Sequence, residues 1–411
     1  MRPLGTLKVA LLLALGLGLL RCGSTHQDGS RPQAQESGGG TLIFHLSDTV
    51  KARIPALPSP NGLTLYNGPE ALVLVPMDSL CYRVPVFDGV LCLGPEGRGT
   101  WTDVLRTGDE PYRVDVEFVK GNTHRSSGDR GAAEIWRMEF GSQDPWYGDL
   151  VLNRSANGHL QGTIETATGD FRFLHGTEHN DILTLQTFDG AHLFHFSANT
   201  SVNDSLVKGV FSSGNHYQTS FRAHLKTDAD EPLSAGNRAT WTQEPIGYAG
   251  QDLLGNKTEW LWSPSDTVVH VLSVMGSWCP NCMDEHRLLA ELMEAHPNMH
   301  VHTLAFERGL DRVNGEEMAM TRLKQYAESM GLSRYPDRWH ISLVGPASKK
   351  EAQNKLPFLD KVVSFPTSIV LAPGASQPWI HSGFNGPATG AKYDLERAQF
   401  AAFISGPMES R

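Results

Sequence analysis

The stretch Val268-Val-His-Val-Leu-Ser-Val-Met-Gly-Ser-Trp278-Cys279-Pro280-Asn281-Cys282-Met-Asp-Glu285-His286 decides how the C-terminal part of this chain folds. Its first half, Val268 to Val274, is a continuous apolar and β-branched run, the pattern of a strand covered on both faces. From Pro280 to His296 the period changes, with Leu288, Leu289, Leu292 and Met293 on one helical face and Pro297 as the stop. Pro280 suits the first helical turn, where a missing N–H costs nothing. Two thiols three residues apart thus sit at a helix start, where the macrodipole favours a thiolate.

Three chemistries fit a bare Cys-x-x-Cys. Structural zinc requires a second pair of Cys or His ligands at similar spacing, and none follows downstream; His286 alone does not complete a tetrahedron. A purely structural bridge across one helical turn closes too short a loop to stabilise much. Thiol–disulfide exchange needs a thiolate nucleophile and a resolving partner, and both are present. In that reading Cys279 attacks and Cys282 resolves. Glu285 lies three residues after Cys282, on the same side of the helix, and handles the proton that Cys282 must lose. The Cys279–Cys282 disulfide is then the only redox group expected, with no metal or organic cofactor.

Outward from this stretch, elements alternate. Met299–Phe306 reads as a strand, Gly315–Met330 as a helix, Thr367–Leu371 and Trp379–Gly383 as strands, and Leu395–Ile404 as a closing helix. Ser364-Phe365-Pro366-Thr367 places a proline directly before a β run, where it cannot donate to a ladder.

Trp278-Cys279-Pro280-Asn281-Cys282, Glu285 and Phe365-Pro366-Thr367 together make residues 245–411 resemble the TlpA-like branch of thioredoxin-fold thiol–disulfide oxidoreductases. The resemblance implies a cis Pro366 opposite the cysteine pair. It also implies a docking groove shaped by Trp278, Pro280, Phe365 and Pro366. It further implies net reduction of exported partner proteins that carry disulfides, recharged by a membrane thiol donor. Many cytoplasmic thioredoxins have a buried Asp six residues before the first Cys; here that residue is Ser273, which leaves Glu285 as the proton handler. The long interval before Pro366 is expected to hold extra helices near 315–330 and 348–360. The upstream region resembles β modules that precede such domains in Bacteroidetes-type proteins.

That region, residues 41–233, shows short alternating runs broken by turn dipeptides. Hairpins are predicted around Asp88-Gly89, Thr168-Gly169-Asp170, Asp189-Gly190 and Ser213-Gly214-Asn215. No stretch sustains helical periodicity, so an all-β antiparallel sandwich or barrel is expected ahead of the α/β thioredoxin-like domain. Residues 234–244 read as the linker. A two-residue turn at Asp88-Gly89 sets Cys92 opposite Pro85 rather than Cys81, so a simple cross-strand disulfide does not fit. Cys81 and Cys92 read as buried free thiols, with an approach through a bulge as the other reading. His192 and His195 point to opposite faces of a regular strand and do not form a ligand pair.

At the N-terminus Arg2 and Lys8 precede an apolar stretch from Val9 to Leu20. It is too short to span a hydrocarbon layer of roughly 30 Å. It suits an export signal over residues 1–24. Cys22 stands where bacterial lipoproteins are lipidated, although Arg21 replaces the usual small residue; cleavage near Ser24 without lipidation is the other reading. Residues 25–40 form a Gly/Ser/Gln tether. The periplasm or cell envelope is the expected location, with a lipid anchor at Cys22 in the first reading. A net charge of −10 argues against nucleic acid as a partner.

Overall fold

Period-2 alternation builds the N-terminal half. In β1 (Gly40–His45) Leu42 and Phe44 are buried, and in β2 (Lys51–Ser59) Ala52, Ile54 and Ala56 are. The computed structural model describes residues 38–103, 112–121, 133–155, 158–200, 206–233 and 238–406. The export segment, Cys22 and most of the tether lie outside the described residues, as do 234–237 of the expected linker.

Six more strands follow: β3 (Gly62–Asn67), β4 (Glu70–Pro76), β5 (Cys81–Arg83), β6 (Gly89–Leu93), β7 (Arg98–Asp103) and β8 (Tyr112–Lys120). Each pairs antiparallel with the next, and β8 returns to β1 to close an eight-stranded barrel. Its interior is filled by Leu42, Phe44, Ile54, Leu65, Leu74, Trp101 and Val114, with Phe44 and Trp101 edge to face at 6.3 Å.

The thiol expectation fails in this barrel. Cys81 pairs directly with Cys92 across β5 and β6, and the two form a disulfide with Cα atoms 4.1 Å apart. The cause is turn length. The strand ends at Arg83, Pro85 offers no N–H to a ladder, and the Val84 N–H reaches the Gly89 carbonyl across the loop. Arg83 therefore opposes Val90, and the register shifts to bring the cysteines together.

A second closed sheet contains β9 (Glu134–Phe140), β10 (Trp146–Arg154), β11 (His159–Thr166), β12 (Gly169–Asp170), β13 (Leu174–His179), β14 (Ile182–Phe188), β15 (Leu193–Asn199), β16 (Val207–Ser213) and β17 (Tyr217–Leu225). The pairings β9–β17 and β10–β11 join its ends, and the short β12 hangs on β11. The hairpins at Asp189-Gly190 and Ser213–Asn215 have the expected partners, Phe188 opposite Leu193 and Ser213 opposite Tyr217. Side-chain amides join the two barrels. Asn67 exchanges hydrogen bonds with the Phe188 backbone at 2.9 and 3.0 Å, and Gln186 with the Arg53 backbone at 2.8 Å each way.

The third sheet comprises β18 (Gly247–Asp252), β19 (Lys257–Leu261), β20 (Val269–Met275), β21 (Met299–Glu307), β22 (Trp339–Pro346), β23 (Thr367–Leu371) and β24 (Trp379–Ser382). Its order is β19-β18-β22-β21-β20-β23-β24, with β20, β21 and β22 parallel. Four helices accompany it: α1 (Pro280–Ala295), α2 (Gly315–Ser329), α3 (Lys349–Lys355) and α4 (Ala391–Ile404). Every residue of β20 is buried, because α1 and α2 side chains cover one face and the 352–363 segment covers the other. Ala239 and Ile246 are buried in that second core, so the chain from 238 to 246 packs as part of the module rather than as a spacer. Strands β18, β19 and β22 were not legible as strands in the sequence. Among the described residues no helix is long and apolar enough to cross a membrane.

Candidate functional site

Cys279 is the N-cap of α1. Its Sγ accepts the Cys282 backbone N–H at 3.3 Å, with Pro280 in the first turn. Both cysteines are free thiols, Cys279 nearly buried and Cys282 fully so. The Phe365–Pro366 peptide is cis, and the Cys279 thiol donates to the Phe365 carbonyl at 3.5 Å. Trp278 is fixed by its indole N–H on the Phe306 carbonyl at 2.9 Å, stands edge-on to Phe365, and carries Arg308 over its ring at 4.4 Å. Trp278, Cys279, Pro280, Cys282, Phe365 and Pro366 thus converge at the C-terminal end of β20. The remaining candidate, Cys22, lies outside the described residues.

Behind the pair, Glu285 is fully buried. It accepts hydrogen bonds from the hydroxyls of Ser273, at 2.5 Å, and Ser368. Burial pushes its carboxyl up to about 7. Burial likewise raises the Cys282 thiol, with Cys279 and then Glu285 adding to the rise. A hydrogen-bonded line continues from Ser273 to His286 Nε2 at 3.1 Å, and from His286 Nδ1 to the Tyr326 hydroxyl at 2.8 Å. Burial holds His286 down to about 3, so the ring is neutral and one nitrogen must donate while the other accepts. Since Ser273 gives its proton to Glu285, the consistent direction is Tyr326 O–H to His286, His286 N–H to Ser273, and Ser273 O–H to Glu285.

A second buried carboxylate, Glu307, makes a contrast. It receives the Ser277 N–H and hydroxyl, both at 2.8 Å, and Arg322 at 3.5 Å. Glu307 therefore anchors the loop before Trp278, whereas Glu285 has hydroxyl partners only among its hydrogen bonds and can exchange a proton near neutrality.

The front of the site is built by the second barrel, which the sequence did not indicate. Asn281 donates to the Asp170 carbonyl at 3.0 Å and to the Phe384 carbonyl at 3.2 Å. Asp170 Oδ1 accepts the Gly386 N–H at 2.7 Å, and burial pushes this carboxyl up to about 6. Arg172 donates through Nε and Nη2 to Asp284 of α1 at 2.8 and 3.1 Å and pairs also with Glu70 of the first barrel. All three charges are sheltered from water, and Arg172 has φ 54°, a left-handed backbone uncommon outside glycine. Between the barrel and the dithiol lies a cavity of about 280 Å³, lined by Phe171, Phe194, Asp189 and His192 on one side and by Trp278, Cys279 and Phe365 on the other. Although buried, Asp189 is held down to about 2 by His192 and Arg172.

Solved structures similar to this chain are thiol:disulfide interchange proteins. One, of the thioredoxin family and from Chlorobium tepidum TLS, is 13% identical over 42% of this chain and 97% of its own, with a TM-score of 0.27. Another, from Bacteroides sp., is 18% identical over 42% of this chain and 95% of its own, with a TM-score of 0.26. A secreted Mycobacterium tuberculosis disulfide oxidoreductase is 13% identical over 38% and 94%, with a TM-score of 0.25. No family model matches the sequence, and no curated protein matches it. At these scores the likeness carries no argument, and the chemistry has to be read from the geometry around Cys279.

That geometry brings together two free thiols, a backbone carbonyl in contact with one of them and a buried carboxyl that titrates near neutrality. Among the described residues no cluster of three or more His, Cys, Asp or Glu is arranged to hold a metal. His192, read from sequence as one of a crowd of histidines, lines the cavity over Cys279; His195 is buried elsewhere in the barrel wall. Ser368, Tyr326, Asp170 and Arg172 were missed. Asp284 beside Glu285 was the available signal, since a second buried carboxylate on one helix needs a cation from elsewhere.

Proposed function

We propose that this protein is an exported thiol–disulfide oxidoreductase that reduces disulfides of partner proteins. The Cys279 thiolate, favoured by the α1 N-terminus, attacks one sulfur of the partner disulfide. A mixed disulfide forms, and the partner's other sulfur leaves as a thiolate and takes a proton. The Cys282 thiol gives its proton to the Glu285 carboxylate and attacks Cys279 Sγ. The partner's second thiolate is released, and a Cys279–Cys282 disulfide remains, two electrons poorer. A membrane thiol donor then restores the dithiol. The observation that carries this reading is the Cys279 sulfur seated between its helix N-terminus and the Phe365 carbonyl, with Cys282 and Glu285 buried behind it.

The Phe365 carbonyl, released by the Cys279 S–H once that thiol ionises, suits an extended segment that hydrogen-bonds to backbone. The signal-like residues 1–24 support action in the periplasm or cell envelope, with Cys22 as a candidate lipid anchor. Cys279→Ser is expected to abolish reduction of insulin and of exported disulfide proteins, because the nucleophile is gone. Reduction at the wild-type rate by that variant overturns the proposal.

A further inference from the structure

The second barrel has an interior that its own side chains do not fill. A cavity of about 580 Å³ opens into one end of it, walled by Met138, Leu150, Leu152, Ile164, Leu185 and Phe196. This lies in the range of small-molecule sites, and an eight-stranded barrel is wide enough for one small ligand. Ala198 and Ala223 also face it, and these small side chains leave the space that Phe44 and Trp101 occupy in the first barrel. At the deep end the cavity stops against an aromatic layer, where Phe140 stacks on Trp146 at 3.8 Å and Phe196 on Phe211 at 4.6 Å. That layer continues through Phe171 and Phe194, which line the cavity over Cys279, so the two spaces are separate.

The mouth lies at the opposite end, at Trp136, Arg154, Thr200, Val207 and Leu225. Among the described residues the only charged side chains in the lining are Glu134, Arg154 and Glu178. Arg154 Nε donates to Glu134 at 3.1 Å, and its Nη1 pairs with Glu178. Glu178 also accepts the Thr200 hydroxyl at 2.8 Å, and Glu134 the Trp136 indole N–H at 3.1 Å. Two carboxylates against one guanidinium leave the rim with a formal charge of −1. A water-filled interior with this wall offers hydrogen bonds only at the rim, and its apolar surface is costly to leave unfilled.

We infer that the second barrel binds one elongated apolar molecule with an amine head, its body against Leu150, Ile164 and Phe196 and its head at Glu134 and Glu178. From Glu134 to Met138 the strand rises roughly 13 Å, deep enough for an alkyl chain or fused rings. Among the described residues a carboxylate head meets two carboxylates and a guanidinium already paired with both, and so is disfavoured. This site is independent of the thiol chemistry.

The test uses the full chain and the fluorescent naphthalene probe N-phenyl-1-naphthylamine. Saturable binding of one probe per chain is expected, with dodecylamine displacing it at about tenfold lower concentration than dodecanoate. Ala198→Trp fills the cavity and should weaken probe binding by at least about tenfold while disulfide reduction is unchanged. Leu225→Trp, on the half-exposed rim and safe for folding, should also weaken it. Glu134→Gln with Glu178→Gln should erase the preference for the amine. No saturable binding, or binding by both tryptophan variants as tight as wild type, overturns the site. Dodecanoate displacing as well as dodecylamine overturns the head-group assignment.

Discussion

The two barrels share strand number and antiparallel order but not their use of the interior. The first is packed solid around Phe44 and Trp101, stapled by Cys81–Cys92, and leans on α2, where Arg83 reaches Gln325 at 3.1 Å and Ser329 the Pro85 carbonyl at 3.3 Å. The second is hollow at one end, aromatic at the other, and lays Asp170 and Arg172 over the helix that carries the dithiol. Closure of a sheet fixes only the frame. The size of inward-facing residues decides whether the frame is a buttress or a container, and the residues at its ends decide what it touches.

If the second barrel covers the dithiol while the first only supports it, Arg172→Met should produce the largest effect. It strips a buried cation from Asp284 and Glu70, and breaking such a pair costs about 3 kcal/mol or more. Arg287, 2.9 Å from Asp284, limits the loss. Thermal denaturation should show the drop. Because the lost contact is the one over α1, iodoacetamide should alkylate Cys279 about tenfold faster if only about 1.4 kcal/mol of it is felt there. Alkylation at the wild-type rate would break the comparison.

Replacing both Cys81 and Cys92 by Ser probes the other barrel. The bridge closes a loop of sequence separation 11, worth roughly 2–3 kcal/mol in the unfolded-chain account. Stability should fall by that amount while Cys279 alkylation and disulfide reduction hold. A matching rise in Cys279 reactivity would mean that the barrels do not act separately.

The third effect lies behind both barrels, in the pH response of Glu285, and shows only when pH is varied. Its carboxyl moves from 4.5 to about 7 on folding, so the folded state holds the extra proton between those values. Stability from this group is therefore complete below about 4.5 and is lost as pH rises through 7, up to about 3 kcal/mol. Glu285→Gln should flatten that alkaline loss in denaturant titrations. It should also remove the inflection near 7 from the rate of disulfide release, since only the ionised carboxyl can take the Cys282 proton. An unchanged profile would assign the proton to another group.

The dithiol was legible because its signals are local. An apolar run, a helix cap, a proline before a strand and a carboxylate one turn on can each be read without knowing what packs nearby. The second-barrel hairpins at Asp189-Gly190 and Ser213–Asn215 were legible for the same reason. The strand expected at Phe171–Leu174 is instead displaced: Gly169–Asp170 pair with β11, and the next strand begins only at Leu174. Closure was not, because β1 meets β8 and β9 meets β17 through pairings of distant sequence that no turn dipeptide announces. Cys81–Cys92 was misread through one assumption: a two-residue turn at Asp88-Gly89, where Pro85 in fact ends the ladder early. Strand β22, where His340 and Ser342 alternate with buried Trp339, Ile341 and Leu343, passed unread although its polar residues line a cleft with Tyr248. The cover over Cys279 needed Arg172 and Asp284, 112 positions apart, to be known as neighbours.

The central claim is that Cys279 attacks and Cys282 resolves. Incubating Cys282→Ser with an oxidised exported protein and quantifying adducts by mass spectrometry tests it directly. A stable mixed disulfide on Cys279, absent when Cys279 is also replaced, is the expected result. No adduct, with release still occurring at the wild-type rate, would contradict the account.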